Sequence, residues 1–521
     1  MIIKSLLTPR WLVRVATADL TPATHRWVRL SRGDLRKPLP LFITSAAHND
    51  IRQTVGARAA ETGGALAGSA RDGVVRHFHF DRSATTSSVT YSPNVSELNH
   101  LLKTSWRAAG CTLHGFAHSH PRGNTRPSGG DLVYAERILA ARPSLDRLLM
   151  PIVQTRPDTG SFSLHGAAAY RQGSRTSVVP VPITVIPDLK GGPAPDDTAW
   201  DRVRNAYDMA AMATTRLVIV GCGGSAAYIE DMVRCGVGEV VLIDPDTIDR
   251  PNLATQQVYR SDLGRPKVEA IAERLLDISR HVRVATLQTS LDDLTDEDVA
   301  RLTRAPLPNT RIGGPGVSIL CGFTDNFWAQ ARVNRLALTM GVSQLMAGVY
   351  KEGRGLELFY SIPGISTACA RCVLRPRYDQ YLERGFINDV TSHGTPLLAT
   401  NRLNQVKSDV TLAIVHGTAA NADPHHPATR RWSAVLEYLG QRNLVQIGLE
   451  PERDSQLGLG VFSQVRALDP SGRLGFDQTV WHHKPARPDC PDCGGNGDID
   501  SAVGRLSPTR IDCSEGMGVP A

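Results

Sequence analysis

Between residues 114 and 131 the chain reads HGFAHSHPRGNTRPSGGD. His118 and His120 are two apart, and on a strand such residues project from one face, so both imidazoles can reach one ion. Asp131 follows after ten residues and can close a third position from the first turn of the next helix. Two histidines and a carboxylate with an open fourth place fit a catalytic zinc site, which lowers the pKa of a bound water to about 7. A general base must then take the proton, and Glu61 in ETGGALAG is the upstream choice. Ser128 can donate a hydrogen bond to the oxyanion of a tetrahedral intermediate. The plain alternative for a His-x-His pair is a polar loop with solvated rings, but the full pattern, E…H-x-H-P-x6-S-x-x-D, sits in a strand–loop–helix frame.

A second constellation opens at VIVGCGGSAA, residues 218–227, where a strand runs into a glycine turn. Gly221 and Gly223 let the backbone approach phosphates at a helix N-terminus. Asp244, about 20 residues on, is placed for ribose hydroxyls. These features alone suit NAD. The polar groups Asn252, Gln256 and Lys267 suit a triphosphate instead, and Asp325 in GFTDNF can hold Mg²⁺ between phosphates. Two C-x-x-C pairs, Cys369 with Cys372 and Cys490 with Cys493, have the spacing of a closed, structural tetrahedral zinc site.

The elements that must carry these groups are legible in the apolar periodicity. LFITSAA, GGALAGS, VVRHFHF and CTLHGFAHS read as strands. DIRQTVGARAA, VSELNHLLKTSWRAAG and SGGDLVYAERILAAR read as helices, the last with Ser128 at its N-cap. A Pro- and Gly-rich linker covers 180–200. Beyond it RLVIVGCGG, GEVVLIDPD, VRVATLQTSL and VSILCGF are strands alternating with helices, the βαβαβ order of a doubly wound sheet. The expected organisation is a lead-in over 1–40, a first domain over 41–172, a linker over 173–199, a second domain over 200–495 and a polar tail over 496–521. The expected fold class is α/β: a three-layer α/β peptidase domain, then a doubly wound (Rossmann-like) sheet with an antiparallel extension that carries structural zinc.

The chain has 521 residues, too many for one core. Its 58 Lys and Arg against 51 Asp and Glu leave a net charge of +7, with no basic run interleaved with aromatics, so no nucleic-acid partner is expected. No stretch of 18 apolar residues occurs, so no membrane span is expected. Nine cysteines, an odd number, and an N-terminus without a signal-peptide pattern point to a reducing, cytoplasmic setting.

Over roughly 41–172 the chain resembles the JAMM/MPN (JAB) metalloprotease family. The resemblance implies a zinc isopeptidase or peptidase that cuts after the C-terminal glycine of ubiquitin-like proteins. It implies Glu61 as general base, His118, His120 and Asp131 as zinc ligands, and Ser128 as the group that steadies the intermediate.

Over roughly 200–495 the chain resembles the ThiF/MoeB/E1 family of adenylating enzymes, at Gly221, Gly223, Gly224, Asp244, Asp246, Asn252, Gln256, Lys267, Asp325, Asn326 and Asn334. That resemblance implies activation of the C-terminal carboxylate of a ubiquitin-like or sulfur-carrier protein as an acyl-adenylate with Mg-ATP. It also implies a structural zinc at Cys369, Cys372, Cys490 and Cys493, and a homodimer through this domain. Three residues depart from the family pattern. Thr255 in NLATQ stands where an arginine is expected, Ala226 replaces a third glycine, and Gly322 replaces an acidic residue. Arg260 and Arg265 are the nearby guanidinium groups. The loop INDVTSHGTPLLATN, where conjugating relatives place a thioester cysteine, has none, and Cys513 lies in the tail. The adenylate would then pass to a cysteine on another protein, such as an E2-like conjugating partner, or into sulfur transfer. Other readings are adenylation of a small molecule or peptide, and a metallopeptidase joined to a non-catalytic module that binds ubiquitin-like tails.

Overall fold

The structure, a computed structural model, describes residues 27–59, 61–69, 73–88, 90–121, 123–142, 145, 147–172, 175–186, 198–307, 315–382, 384, 395–448 and 478–494. Cys513, most of the linker and the loop 385–394 lie outside them. The described residues fall into two compact units, one of residues 38–186 and one of residues 27–37 with 198–494.

In the first unit a mostly antiparallel sheet has the strand Cys111–Ser119 at its middle, paired on one side with Gly63–Ser69 and on the other with Arg147–Leu149 and Ile152–Arg156. Both faces of Cys111–Ser119 are covered from Leu113 onward, which suits its run of apolar and small residues. The register sets Gly63 opposite His118. The strand read from LFITSAA is shorter than expected. It spans Leu41–Thr44, and the Thr44 hydroxyl then accepts the Ala47 N–H and starts the helix Ser45–Thr54. Threonine at an N-cap satisfies an otherwise orphaned donor, so the chain turns helical before the apolar run ends. The helix expected over VSELNHLLKTSWRAAG begins α-helical at Val95–Leu101 and widens into a π-helical turn at Leu102–Trp106.

The helix that follows the histidine strand, Gly129–Ala141, starts with a reciprocal cap. The Asp131 N–H donates to Ser128 Oγ at 3.3 Å, and Ser128 N–H donates to Asp131 Oδ2 at 2.6 Å. The spacing S-x-x-D is the sequence signature of that box. It ends the loop after His120 and brings Asp131 back toward the strand.

In the second unit five parallel strands run in the order Arg283–Leu287, Glu239–Ile243, Thr215–Val220, Val317–Gly322 and Ser343–Tyr350. The chain order reverses at Thr215–Val220, the topological switch point where open α/β sheets bind ligands. Alternate residues of that strand enter different cores: Leu217 and Ile219 join one apolar cluster, Val218 and Val220 the other. Helices therefore cover both faces, as a doubly wound sheet requires. Gly355–Ser361, Leu444–Gly448 and Gln478–His482 extend the sheet in antiparallel fashion.

Residues 27–37, within the expected lead-in, belong to this second unit. Val28–Arg29 pairs in parallel with Arg283–Leu287 and forms the outer strand of the sheet. Leu30 and Leu35 are buried in its core, and Arg301 donates to the carbonyls of Leu35 and Lys37.

Candidate functional site

In the first unit the structure brings His118, His120 and Asp131 together, with their ligand atoms within 4.8 Å of one another. His118 Nε2 lies 2.8 Å from His120 Nε2, and Asp131 reaches them with Oδ1 at 3.1 Å and Oδ2 at 3.3 Å respectively. Both imidazoles are buried and the carboxylate is half-buried. Burial opposes a proton on His120, but the hydrogen bond to Asp131 outweighs it and raises the ring's pKa. Burial also opposes charge on Asp131, and bonds from His118 and His120 outweigh it and hold the carboxyl well below the usual range. Tetrahedral zinc at 2.0–2.1 Å from each nitrogen or oxygen needs ligand atoms about 3.3 Å apart. The donor set and its spacing fit that ion. A zinc ion held by His118, His120 and Asp131 would supply a water ligand of lowered pKa.

Glu61 is buried just ahead of the strand Gly63–Ser69. Burial pushes its carboxyl up, against the charges of His120 and His118 and a hydrogen bond from the Tyr91 backbone. A carboxylate raised toward neutrality beside a metal site suits a group that takes and returns a proton. Ser128 is placed differently from a free oxyanion donor: its hydroxyl donates to Asp131 Oδ2 at 2.8 Å. In this arrangement it orients the third ligand.

Two residues that carry no chemistry also shape the site. Tyr91 stacks on His118, with centroids 5.7 Å apart and planes 18° from parallel. A Cβ on Gly63 would lie 2.7 Å from the Cβ of His118 and 2.9 Å from the Tyr91 ring. The Gly63-Gly64 pair in ETGGALAG was the available signal: a glycine inside a strand often marks a close approach.

In the second unit the four expected thiols converge. Cys369 Sγ lies 3.6 Å from Cys490 Sγ and 3.9 Å from Cys372 Sγ, and Cys372 Sγ lies 3.5 Å from Cys493 Sγ. These separations exceed a disulfide bond of about 2.05 Å and approach the roughly 3.8 Å between thiolates around tetrahedral zinc. The donor set therefore fits a closed structural zinc. Asn334 sits here rather than at the glycine turn. It accepts the Ala370 N–H at 2.9 Å and donates to Asp492 at 3.0 Å, tying the two C-x-x-C segments to the helix Phe327–Met340.

The glycine turn follows the strand Thr215–Val220. Gly221 has φ +88°, and a Cβ there would meet the Phe323 carbonyl carbon at 2.8 Å, so only glycine fits. Asp244 lies buried at the end of the neighbouring strand, where it accepts the Cys222 N–H at 2.7 Å and the Asp246 N–H at 3.0 Å. Its burial raises the carboxyl's pKa despite those donors. Lys267 pairs with Asp246 at 2.8 Å. Burial disfavours its charge, and the bond to Asp246 with the field of Asp244 raises its pKa all the same. The Gln256 side chain stands over Gly223, within 2.7 Å of where a Cβ would be, and its buried Oε1 has no hydrogen-bond partner.

The remaining predicted residues take mixed positions. Asn252 Oδ1 accepts the Asp249 N–H at 3.0 Å. Asn326 caps the helix Phe327–Met340 by accepting the Ala329 N–H. Asp325 is exposed beside it, and its Oδ1 accepts from the Thr324 hydroxyl at 3.5 Å. Gly224 is held from the far side, where Asn404 Nδ2 donates to its carbonyl at 3.0 Å. Thr255 is bonded only within its own short helix, to the Pro251 carbonyl. Arg265 is engaged by Asp262 and Glu273, while Arg260 is exposed.

Sequence reasoning missed the helix Leu397–Thr418, whose Thr400, Asn404, Lys407 and Thr411 are all buried. The signal was present. These polar residues recur at i, i+4, i+7 and i+11, the spacing of one helix face.

The prokaryotic homologs of the JAB domain match residues 46–165, and the ThiF family matches residues 197–429. Among curated relatives, the SAMP-activating enzyme E1 of Haloferax volcanii is 26% identical over 186 residues, 35% of this chain and 60% of that protein. The sulfur carrier protein ThiS adenylyltransferase of Bacillus subtilis is 34% identical over 163 residues, 30% of this chain and 44% of that protein. The ubiquitin-like modifier-activating enzyme 5 of Dictyostelium discoideum is 29% identical over 161 residues, 30% of this chain and 41% of that protein. The chain thus spans between 41% and 60% of these relatives' length. Among solved structures, E. coli MccB with ATP is 18% identical, with a TM-score of 0.39 over 59% of this chain and 77% of that one. The polypeptide joins a JAB/MPN-type domain over residues 46–165 to a ThiF-type domain over residues 197–429.

Proposed function

We propose that both domains act on the C-terminal glycine of one ubiquitin-like or sulfur-carrier β-grasp protein. The JAB-type site cleaves a peptide or isopeptide bond after that glycine. The ThiF-type site activates the exposed carboxylate with Mg-ATP as an acyl-adenylate and releases pyrophosphate.

The observation that carries this reading is the convergence of Glu61, His118, His120 and Asp131 in a chain whose other domain is of adenylating type. A hydrolase that exposes a carboxylate and an enzyme that activates one have consecutive chemistries. In the first reaction Glu61 takes the proton of the attacking water and returns it to the leaving amine, while Ser128 keeps Asp131 oriented. In the second, the glycine turn and Gln256 face the phosphates, Lys267 balances their charge, and Asp244 accepts from ribose hydroxyls. Asp325 would hold the magnesium ion, which neutralises phosphate charge.

The described cysteines bear on the fate of the adenylate. Outside the four-thiol cluster, the described cysteines of the second unit, Cys222, Cys235 and Cys321, are buried. None offers an accessible thioester nucleophile, which favours transfer to a thiol on a separate protein or to a sulfur donor.

The test is ATP–pyrophosphate exchange with glycine-ended β-grasp proteins, comparing wild type with Asp325→Ala. Exchange that requires the β-grasp protein and falls at least about 100-fold in the variant supports the reading. Failure to exchange with any such protein, with zinc content and folding intact, would reduce the second domain to a binding module.

A further inference from the structure

Lys407 lies in the middle of the helix Leu397–Thr418 and is 3% exposed. Its Nζ donates to Asn404 Oδ1 at 2.9 Å, and Asn404 Nδ2 in turn donates to the Gly224 carbonyl at 3.0 Å. Thr400, one turn earlier, touches the same glycine, with its methyl 3.1 Å from where a Cβ would be. A single helix face thus runs from a buried amine to the backbone of the glycine turn.

We propose that Lys407, acting through Asn404, is a positioning residue for nucleotide phosphates at the glycine turn. The proposal rests on the adenylating reading of that turn. The Gly224 carbonyl and the Ser225 N–H belong to one peptide plane, so fixing the carbonyl direction fixes where that donor points. A donor aimed in advance at an anion costs no reorganisation when the anion binds. The plane turns about Gly224 on one side, and that residue has no side chain to restrain it.

A buried amine is a costly anchor unless its charge serves something. Lys407 Nζ stands 4.1 Å from the centroid of the Phe323 ring, and the backbone of Phe323 abuts Gly221. The strand Val317–Gly322 presents the Cys321 thiol, and the helix Ala226–Arg234 presents Tyr228, which packs on Phe323 and shares a hydrogen bond with Thr411. On its own helix the partner is the neutral Asn404. Among the described residues no carboxylate pairs with Lys407, and burial pushes its ammonium down to about 7. Near neutral pH it therefore exists as both ammonium and amine.

The two forms differ as donors. The ammonium makes a charge-assisted bond to Asn404, roughly twice as strong as a neutral one. Bound polyphosphate favours the ammonium, and by reciprocity the ammonium favours polyphosphate. Nucleotide affinity should then decline as pH rises through neutrality.

The experiment is calorimetric titration of the full chain with Mg-ATP at pH 6.5 and pH 8.5, using wild type, Lys407→Met, Asn404→Ala and the double variant. Lys407→Gln serves as a second probe if the methionine variant is poorly folded, judged by thermal unfolding and zinc content. Wild-type affinity is expected to drop several-fold between the two pH values, beyond whatever slope the variants share through the nucleotide's own protonation. Each single variant should bind about 10-fold more weakly at pH 6.5 and lose the extra slope. The double variant should bind no more weakly than the singles, because both lie on one path. Additive losses, or variants that keep the wild-type affinity and slope, would overturn the proposal alone. A wild-type chain that fails to bind Mg-ATP would overturn the adenylating reading together with it.

Discussion

Gly63 and Ser128 do no chemistry themselves, yet they decide where the reactive groups of the first unit meet. A methyl at residue 63 would press on both His118 and Tyr91. Gly63→Ala should therefore cost roughly 1–3 kcal/mol of stability, as overpacking does, and weaken zinc binding, read by competition with a chromogenic chelator. Ser128→Ala removes both halves of its bond with Asp131. The helix cap is worth about 1 kcal/mol, and loss of a ligand's orienting partner typically costs about 10–100-fold in metal affinity. A variant that loses cleavage while keeping zinc would assign Ser128 to the intermediate instead. Lys407 supplies a pH signature in stability. Its folded pKa of about 7 lies below an unperturbed lysine's 10.5, so the unfolded chain binds the extra proton between those values. Stability should therefore rise with pH from about 7 upward, and Lys407→Met should remove that part of the rise. Denaturant midpoints at pH 7 and pH 9 measure it.

At the scale of elements, the four-thiol cluster joins the chain ends of the antiparallel extension. Cys369 stands at the N-cap of the short helix Ala370–Val373 and Cys372 lies within it, after the strand Gly355–Ser361, whereas Cys490 and Cys493 follow the outer strand Gln478–His482. Cys490→Ser should release one zinc per chain and lower the thermal midpoint of the second unit, because metal-binding energy in such sites is folding energy. An unchanged midpoint with normal zinc content would contradict that. The parallel strands and their helices were legible from apolar runs bounded by turns, and the two clusters of candidate ligands from their spacing. What was not legible arises from contacts across long stretches of chain. Asn334 reads as a site residue on the same helix as Asn326, yet it serves the thiol cluster 158 residues away. Asn404 lies 180 residues from Gly224, and no local pattern links them. The short strand Val28–Arg29 shows no periodicity at all, since only its pairing partner makes it a strand.

At the scale of the whole molecule, the chain enters the second unit before it builds the first. Residues 27–37 supply an outer strand, two buried leucines and two carbonyl acceptors for Arg301. Burying those leucines contributes about 3–6 kcal/mol, and the strand covers the edge of Arg283–Leu287, which would otherwise invite aggregation. A fragment beginning at residue 198 should unfold at lower temperature and aggregate more than the full chain, and a synthetic peptide of residues 27–37 should restore it. Indifference to that peptide, with a fragment as stable as the full chain, would make the N-terminal segment dispensable. This connectivity keeps a JAB-type and a ThiF-type domain in one polypeptide, consistent with consecutive action on one carboxyl terminus. The most direct test supplies a β-grasp protein extended beyond its glycine, alongside the same protein ending at glycine, and follows adenylate formation from α-labelled ATP. Wild type should adenylate both, and Glu61→Gln should adenylate only the form that already ends at glycine. Equal adenylation of both forms by Glu61→Gln, or of neither by wild type, would contradict the account.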